Sequence, residues 1–193
     1  RDLNSRVRLQ AFGSTIAGRS FKNLYLTATA KDRGFITADT LLVLWDTPEA
    51  GRLKNIAASS SFAGSGWINL RNPDMPVYKF EAQLDGVNLK NIAPDAEPAT
   101  NITATVQIDG RGFHPDSLEG SFRFDIQRLA TPEQSIDSLE FTAILARAPD
   151  NYRDLQITSR IADISVRGNY RFTTLMDAIT RQIELVTQAI ERG

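Results

Sequence analysis

The sequence contains no cysteine, so a disulfide framework, a thiolate metal site and a cysteine nucleophile are all excluded. It contains a single histidine, His114, which lies between Phe113 and Pro115 in a predicted turn. A catalytic histidine needs an oriented carboxylate and a nucleophile, so we interpret His114 as a solvated turn residue. Asp109 and Asp116 flank the turn without the spacing of a calcium loop. We therefore expect no enzymatic activity, no metal site and no cofactor.

An excess of charge of one sign is also lacking. The chain has 22 Lys and Arg residues against 23 Asp and Glu residues, a formal net charge of −1. This balance supplies no field that would attract nucleic acid or an anionic membrane surface. No apolar run is long enough to cross a bilayer. The glycine pairs at 64–66 and 110–112 do not introduce a phosphate-binding helix, so nucleic acid and nucleotides are not expected as partners.

The sequence is rich in strict alternation of apolar and polar residues. The runs 78–85, 102–109, 121–127 and 164–172 place an apolar residue at every second position. Because side chains of a strand point alternately to opposite faces, each run predicts a strand with one apolar face and one solvated face. Turn residues between the runs indicate short connections and mostly antiparallel neighbours. The predicted fold class is therefore all-β.

Weaker runs raise the expected number of strands to about eleven. Two of these runs, residues 56–62 and 66–70, are predicted as separate strands, and Ile161 is predicted to share a strand face with Leu155 and Ile157. The longest polar connection, residues 91–100, is the predicted internal boundary of a β-rich segment that covers residues 1–172.

The period changes at the end of the chain, where residues 173–193 predict one amphipathic helix. Thr174 and Asp177 have the spacing of an N-terminal cap. The apolar face of this helix needs a partner, either the inner face of the sheet or the same helix of a second copy. Exposed end strands are a second route to a homodimer of the isolated chain. The apolar face of the helix comprises Leu175, Met176, Ile179, Ile183, Val186 and Ile190.

One candidate functional feature remains, the apolar face that the strands share. It is either the core of a sandwich or barrel, in which such faces bury each other, or the inner face of a curved sheet that a ligand with long alkyl chains fills. Either way, neighbours such as Lys79, Glu81, Thr105, Arg123 and Arg167 should lie in solvent. The residues predicted to share the apolar surface are Tyr78, Phe80, Ala82, Leu84, Ile102, Ala104, Val106, Ile108, Phe122, Phe124, Ile126, Leu139, Phe141, Leu155, Ile157, Ile164 and Val166.

The order of segments over residues 78–172 resembles the AsmA-like and TamB-like β-repeat proteins of Gram-negative envelopes. A strand ending in Leu-Asp-Gly at 84–86 precedes the element "GRGFHPDSLEG" at 110–120. A strand with "DSL" at 137–139 and a strand "ISVRGNYRF" at 164–172 follow. The sequence looks most like the TamB proteins of Bacteroidota, in which a helix often follows the last strand. The resemblance covers the second half of the chain well and the first half loosely.

The resemblance implies a U-shaped, mostly antiparallel sheet with an apolar inner groove, part of a long periplasmic body anchored in the inner membrane. Members of the family are implicated in moving phospholipid between the envelope membranes, and TamB is also linked to outer-membrane protein assembly with a barrel partner. We therefore expect a fragment of such a protein, acting as a conduit for phospholipid or another acyl-chain lipid. The alternatives are a β-scaffold that assists outer-membrane protein assembly and an ordinary β-sandwich binding module.

Overall fold

The computed structural model describes residues 4–16, 19–31, 34–46, 59–91, 99–114, 116–148, 150, 152–171 and 174. These residues form ten β-strands, with a short 3-10 turn (Leu89–Asn91) between the fifth and the sixth. The prediction of an all-β fold is therefore confirmed. The strands are β1 (Ser5–Ile16), β2 (Arg19–Lys31), β3 (Phe35–Asp46), β4 (Ser59–Asn69), β5 (Val77–Val87), β6 (Asn101–Arg111), β7 (Glu119–Ala130), β8 (Ser135–Arg147), β9 (Arg153–Ser159) and β10 (Asp163–Gly168).

All ten strands belong to one antiparallel sheet in which spatial order equals chain order. Each strand pairs with the next, as short reversing connections dictate. The sheet is open, because within the described residues β1 and β10 each have only one neighbour. The first half of the chain therefore shares a sheet with the second half, and β5 and β6 pair directly on either side of the connection at 88–100.

The connections lie along two rims of the sheet. The first rim carries the connections that follow β2, β4, β6 and β8, and the second rim carries the connections that follow the odd-numbered strands. Extensive contacts between elements join only neighbouring strands, so in the part of the chain that the structure describes no second layer packs across either face.

Register shifts interrupt the alternation while keeping apolar residues on one face. Between β5 and β6 the register shifts between Leu84 and Val87, and Gly86 has a φ of 61°. Glycine adopts this left-handed conformation without a Cβ clash. The shift is a β-bulge that inserts one extra residue into β5, so Leu84 and Val87 face the same side although they are three positions apart. Further shifts occur between β2 and β3, β3 and β4, and β6 and β7, and such bulges bend and twist a sheet.

Three details of the predicted strands are wrong. Residues 59–69 form one strand rather than parts of two, because Gly64 and Ser65 pair without interruption with β5. Ile161, expected on a strand face with Leu155, is 82% exposed in the turn between β9 and β10. The last strand ends at Gly168 instead of reaching residue 172.

The predicted helix at 173–193 lies outside the described residues, apart from Thr174. Among the residues that are described, no helix combines the length and hydrophobicity needed to cross a membrane.

Candidate functional site

The register places the predicted apolar set on one face of the sheet. Cross-strand partners lie on the same face, so each series of partners traces a row across the strands. One row runs through Phe80, Ile108, Phe122, Ala143, Ile157 and Ile164. The next contains Ala82, Val106, Phe124 and Phe141. Two further rows contain Leu84, Ala104, Ile126 and Leu139, and Tyr78, Leu145, Leu155 and Val166. Ile102 joins this face beside Val87 and Leu129.

The opposite face carries the charged residues. Lys79 and Asp109 form an ion pair at 3.5 Å, and Arg123 forms another with Glu140. Four of the five residues predicted to be solvated are exposed, while Thr105 is half-buried. Exposed pairs of this kind add little stability, so their main effect is to keep this face in water and the other face apolar.

The apolar face continues through the first four strands, which the predicted set did not include. Leu9, Leu26 and Leu41 form a row that leads to Gly64 and then to Ala82. A parallel row connects Leu24, Val43 and Phe62 to Leu84. The alternation of apolar residues in β2 was the available signal for this extension. The face therefore spans all ten strands, and we call it the apolar groove.

Between β3 and β6 the groove contains a cavity of about 270 Å³. Gly64 and Gly66 lie on the groove face without side chains, because they pair with Ala82 and Phe80. The Phe62 and Phe80 rings lie close against these glycines, and Gly64 lines the cavity. The cavity lining is apolar except for Ser65 and Glu81, which belong to the opposite face; the apolar residues are Ala38, Leu41, Phe62, Phe80, Ala82, Leu84, Val106 and Ile108.

The loop between β6 and β7 folds against the groove at the first rim. The Tyr78 hydroxyl donates a hydrogen bond to the Gly112 carbonyl oxygen at 3.0 Å, and the Tyr78 ring stacks on Phe113 with centroids 5.2 Å apart. The Gly112 N–H donates to the Pro76 carbonyl at 2.9 Å. Gly112 has a φ of 75°, and a Cβ there would lie 2.6 Å from the Ser117 carbonyl oxygen, so the loop requires glycine at this position.

At the second rim, side-chain hydrogen bonds hold the connection between β5 and β6 against the sheet. The side-chain oxygen of the buried Asn88 accepts hydrogen bonds from the N–H groups of Lys90 at 3.1 Å and Thr100 at 3.2 Å. Asn91 donates to the Ser60 hydroxyl at 2.9 Å and so ties the connection to β4. The main buried apolar cluster contains Val43, Trp45 and Val87, with Phe21, Leu24, Leu41, Phe62 and Leu84 packed against them.

Replacing Tyr78 with phenylalanine tests the closure of the first rim. The variant leaves the Gly112 carbonyl without its partner, which should cost about 1–2 kcal/mol of unfolding free energy. Burial raises the pKa of Tyr78 above its usual value of about 10. The folded state therefore holds the phenol proton more tightly than the unfolded state, so this stabilisation is complete below pH 10 and is lost as the pH rises through the folded-state pKa.

Urea unfolding of the wild type and of Tyr78→Phe at pH 8 and above pH 10 measures this difference. We expect the gap between the two proteins to shrink at the higher pH. A gap that is the same at both values would show that the hydroxyl does not stabilise the loop.

Within the described residues, no three His, Cys, Asp or Glu side chains come close enough together to hold a metal ion. His114 is exposed in the β6–β7 loop, where its Nδ1 accepts a hydrogen bond from the Asp116 N–H at 3.2 Å. Asp109 pairs with Lys79 on the solvated face. The feature that the fold builds over its whole width is the apolar groove.

Comparison of the chain with protein-family models, with curated proteins and with solved structures gives no significant match.

Proposed function

We propose that this chain is a segment of a hydrophobic conduit for acyl-chain lipids, and that the apolar groove is the path the chains follow. One observation carries the proposal: an apolar face runs unbroken over ten strands, and within the described residues no second layer of secondary structure packs on it. Several of its side chains are largely exposed, among them Val7 at 54% and Ile164 at 46%. A continuous apolar surface of this kind on one side of a sheet favours a ligand or partner of matching polarity.

The free energy of burying an acyl chain favours transport in which the chain slides along the groove. Each methylene group that leaves water for an apolar surface gains about 0.8 kcal/mol. The rows repeat similar side chains from strand to strand, as with Ile108 and Phe122 or Val106 and Phe124. An acyl chain shifted along the groove by one strand therefore exchanges one set of apolar contacts for a similar set. Transfer of this kind needs no catalytic residue.

The proposal places the chain in the cell envelope. The resemblance to AsmA-like and TamB-like proteins supports a periplasmic segment of an inner-membrane-anchored protein, with phospholipid as the transported lipid. The open, meandering antiparallel sheet agrees with the groove that this resemblance implies. An outer-membrane barrel protein is the partner proposed for regions beyond this chain.

Lipid that co-purifies with the protein tests the proposal. We expect the chain, secreted to the periplasm of a Gram-negative host and purified without detergent, to carry phospholipid that mass spectrometry detects after extraction. After delipidation, a fluorescent fatty acid such as dansyl-undecanoate should bind with a blue-shifted emission. A protein that carries no lipid and leaves the probe's emission unchanged would refute the conduit.

A second candidate function, a scaffold for unfolded outer-membrane strands, has its own support. The outer edges of β1 and β10 are unpaired within the described residues, and an exposed edge can accept an added strand. Photo-crosslinking residues placed at Arg8 in β1 and at Val106 in the groove separate the two functions. Peptide crosslinked at position 8 and no lipid at position 106 would favour the scaffold, and the reverse result would favour the conduit.

A further inference from the structure

Two arginines lie side by side where the groove meets the first rim. Arg147 ends β8, Arg153 begins β9, and the two are direct partners in the register. Two positions further into the same two strands, and on the same face, lie the partners Leu145 and Leu155, each 4% exposed. Like charges in directly opposed positions destabilise a sheet. The pair therefore needs negative charge nearby.

Backbone carbonyl oxygens anchor the Arg153 guanidinium. Arg153 is 6% exposed, and its two terminal nitrogens donate to the carbonyl oxygens of Asp116 at 2.6 Å and Leu118 at 3.0 Å. Arg147 contacts the Glu119 carboxylate at 3.9 Å, and Glu119 also forms a shorter ion pair with Arg111. These contacts fix the Arg153 guanidinium in position beside Arg147.

Arg147 and Arg153 line an open cavity with a volume of about 710 Å³, and further hydrogen-bond donors surround it. Arg171 and His114 line it together with Arg147, Arg153 and Tyr170, and Asp116 contributes the one carboxylate of its described lining. Because His114 Nδ1 accepts the Asp116 N–H, the proton of the neutral imidazole lies on Nε2, which can donate. We call this cavity the arginine corner.

We propose that the arginine corner binds a phosphate group. Guanidinium groups match the oxygens of phosphate with paired N–H donors and retain their charge at every physiological pH. Three arginines and His114 line this one cavity, so a phosphate dianion or a phosphodiester could accept hydrogen bonds from several of these donors at once. Leu145 and Leu155 adjoin the corner, so the headgroup of a phosphate-bearing lipid would sit at the rim with its chains in the groove. The inference deepens the proposed conduit and rests on it for the position of those chains.

The double variant Arg147→Gln with Arg171→Gln tests the corner, since both side chains are exposed and their loss should leave the fold intact. The matched control is Arg123→Gln, an exposed arginine on the solvated face. The probes are dioctanoyl phosphatidic acid, the uncharged dioctanoylglycerol and inorganic phosphate, each titrated by calorimetry. We expect the double variant to bind phosphatidic acid at least about tenfold more weakly than the wild type, with dioctanoylglycerol unaffected and the control unchanged.

The titrations distinguish the sources of the phosphate and the failure of each proposal. Inorganic phosphate that binds the wild type and not the double variant, with no preference for phosphatidic acid over dioctanoylglycerol, would support a site for free phosphate. Equal binding of phosphatidic acid to the wild type, double variant and control would overturn the arginine corner and leave the conduit standing. If neither lipid binds any of the proteins, the conduit fails, and the phosphate titration alone decides the corner.

Discussion

Replacing Val106 with glutamate should strongly weaken acyl-chain binding while leaving the sheet folded. Val106 lines the cavity, is half-buried and pairs with Ala82 and Phe124 in the middle of the groove. A carboxylate at this position would lie in the path of the acyl chain, which cannot solvate it. Because the groove is open to water, the glutamate should cost only about 1–3 kcal/mol of unfolding free energy. Binding of dansyl-undecanoate should weaken at least about tenfold.

The matched control for Val106→Glu is Gln107→Glu, which adds the same charge one residue further along β6. Gln107 is exposed on the solvated face between Glu81 and Arg123, so the new carboxylate loses a hydrogen bond to Glu81 at 3.5 Å and gains an opposite charge in Arg123. Urea unfolding and probe titration should show the control to be near the wild type in both properties. Unfolding of Val106→Glu would instead indicate a closed core, where a buried charge costs several kcal/mol. A folded Val106→Glu protein with normal binding would place the lipid path elsewhere.

Phe124→Glu provides a repeat of the test on the neighbouring strand. Phe124 stacks on Phe141 with ring centroids 4.6 Å apart, so this substitution removes an aromatic pair as well as adding a charge. We expect the same loss of binding with a larger loss of stability than for Val106→Glu.

The second half of the sheet could be predicted from the sequence because its alternation is strict. In β5, β6 and β7 every second residue is apolar over most of the strand, so the apolar face fixes which side chains point inward. Short turns then bring each strand beside its predecessor. Ile108 and Phe122 meet for this reason, and the same logic extends to Ile157 and Ile164.

The first half was harder to predict, because its strands are less clearly two-faced. In β3, residues 41–45 are apolar at every position, and Leu42 and Leu44 face the side opposite to Leu41 and Val43. In β4, glycine and serine replace larger residues, so the alternation nearly disappears. Gly64 lines the cavity and the Phe80 ring packs against Gly66, and hydrophobic periodicity gives no signal for either feature because glycine has no side chain.

No residue pattern in the sequence predicted the arginine corner. Arg147 and Arg153 are six positions apart, and only the length of the turn between β8 and β9 makes them partners. Arg171 and His114 reach the same cavity from connections that are far apart in the chain. Side chains gathered from three connections depend on register and loop geometry, which residue patterns alone do not specify.

Replacing Gly66 with alanine should destabilise the sheet more than the same change at Gly64 or Gly168. A Cβ at position 66 would lie 2.3 Å from the Lys79 carbonyl oxygen and 2.5 Å from Cδ1 of Phe80. The Lys79 carbonyl oxygen belongs to the backbone, so β4 and β5 must separate, and the Phe80 ring must move away from position 66. Overpacking of this kind costs about 1–3 kcal/mol and occasionally more, and we expect about 3 kcal/mol.

Two other glycines on the same face provide graded controls for Gly66→Ala. At Gly64 an added Cβ would meet the Glu81 carbonyl oxygen at 3.1 Å, which a shift of a few tenths of an ångström relieves, so we expect a loss of about 1 kcal/mol. At Gly168 its nearest contact would be Tyr170 at 3.8 Å, an ordinary distance, and the smaller entropy of the unfolded chain should make the change neutral or slightly stabilising. Chemical unfolding of the three variants should therefore rank them 66, 64, 168 in loss of stability. Equal losses of stability at positions 66 and 168 would mean that Lys79 and Phe80 of β5 do not lie within 3 Å of the Cβ position of residue 66.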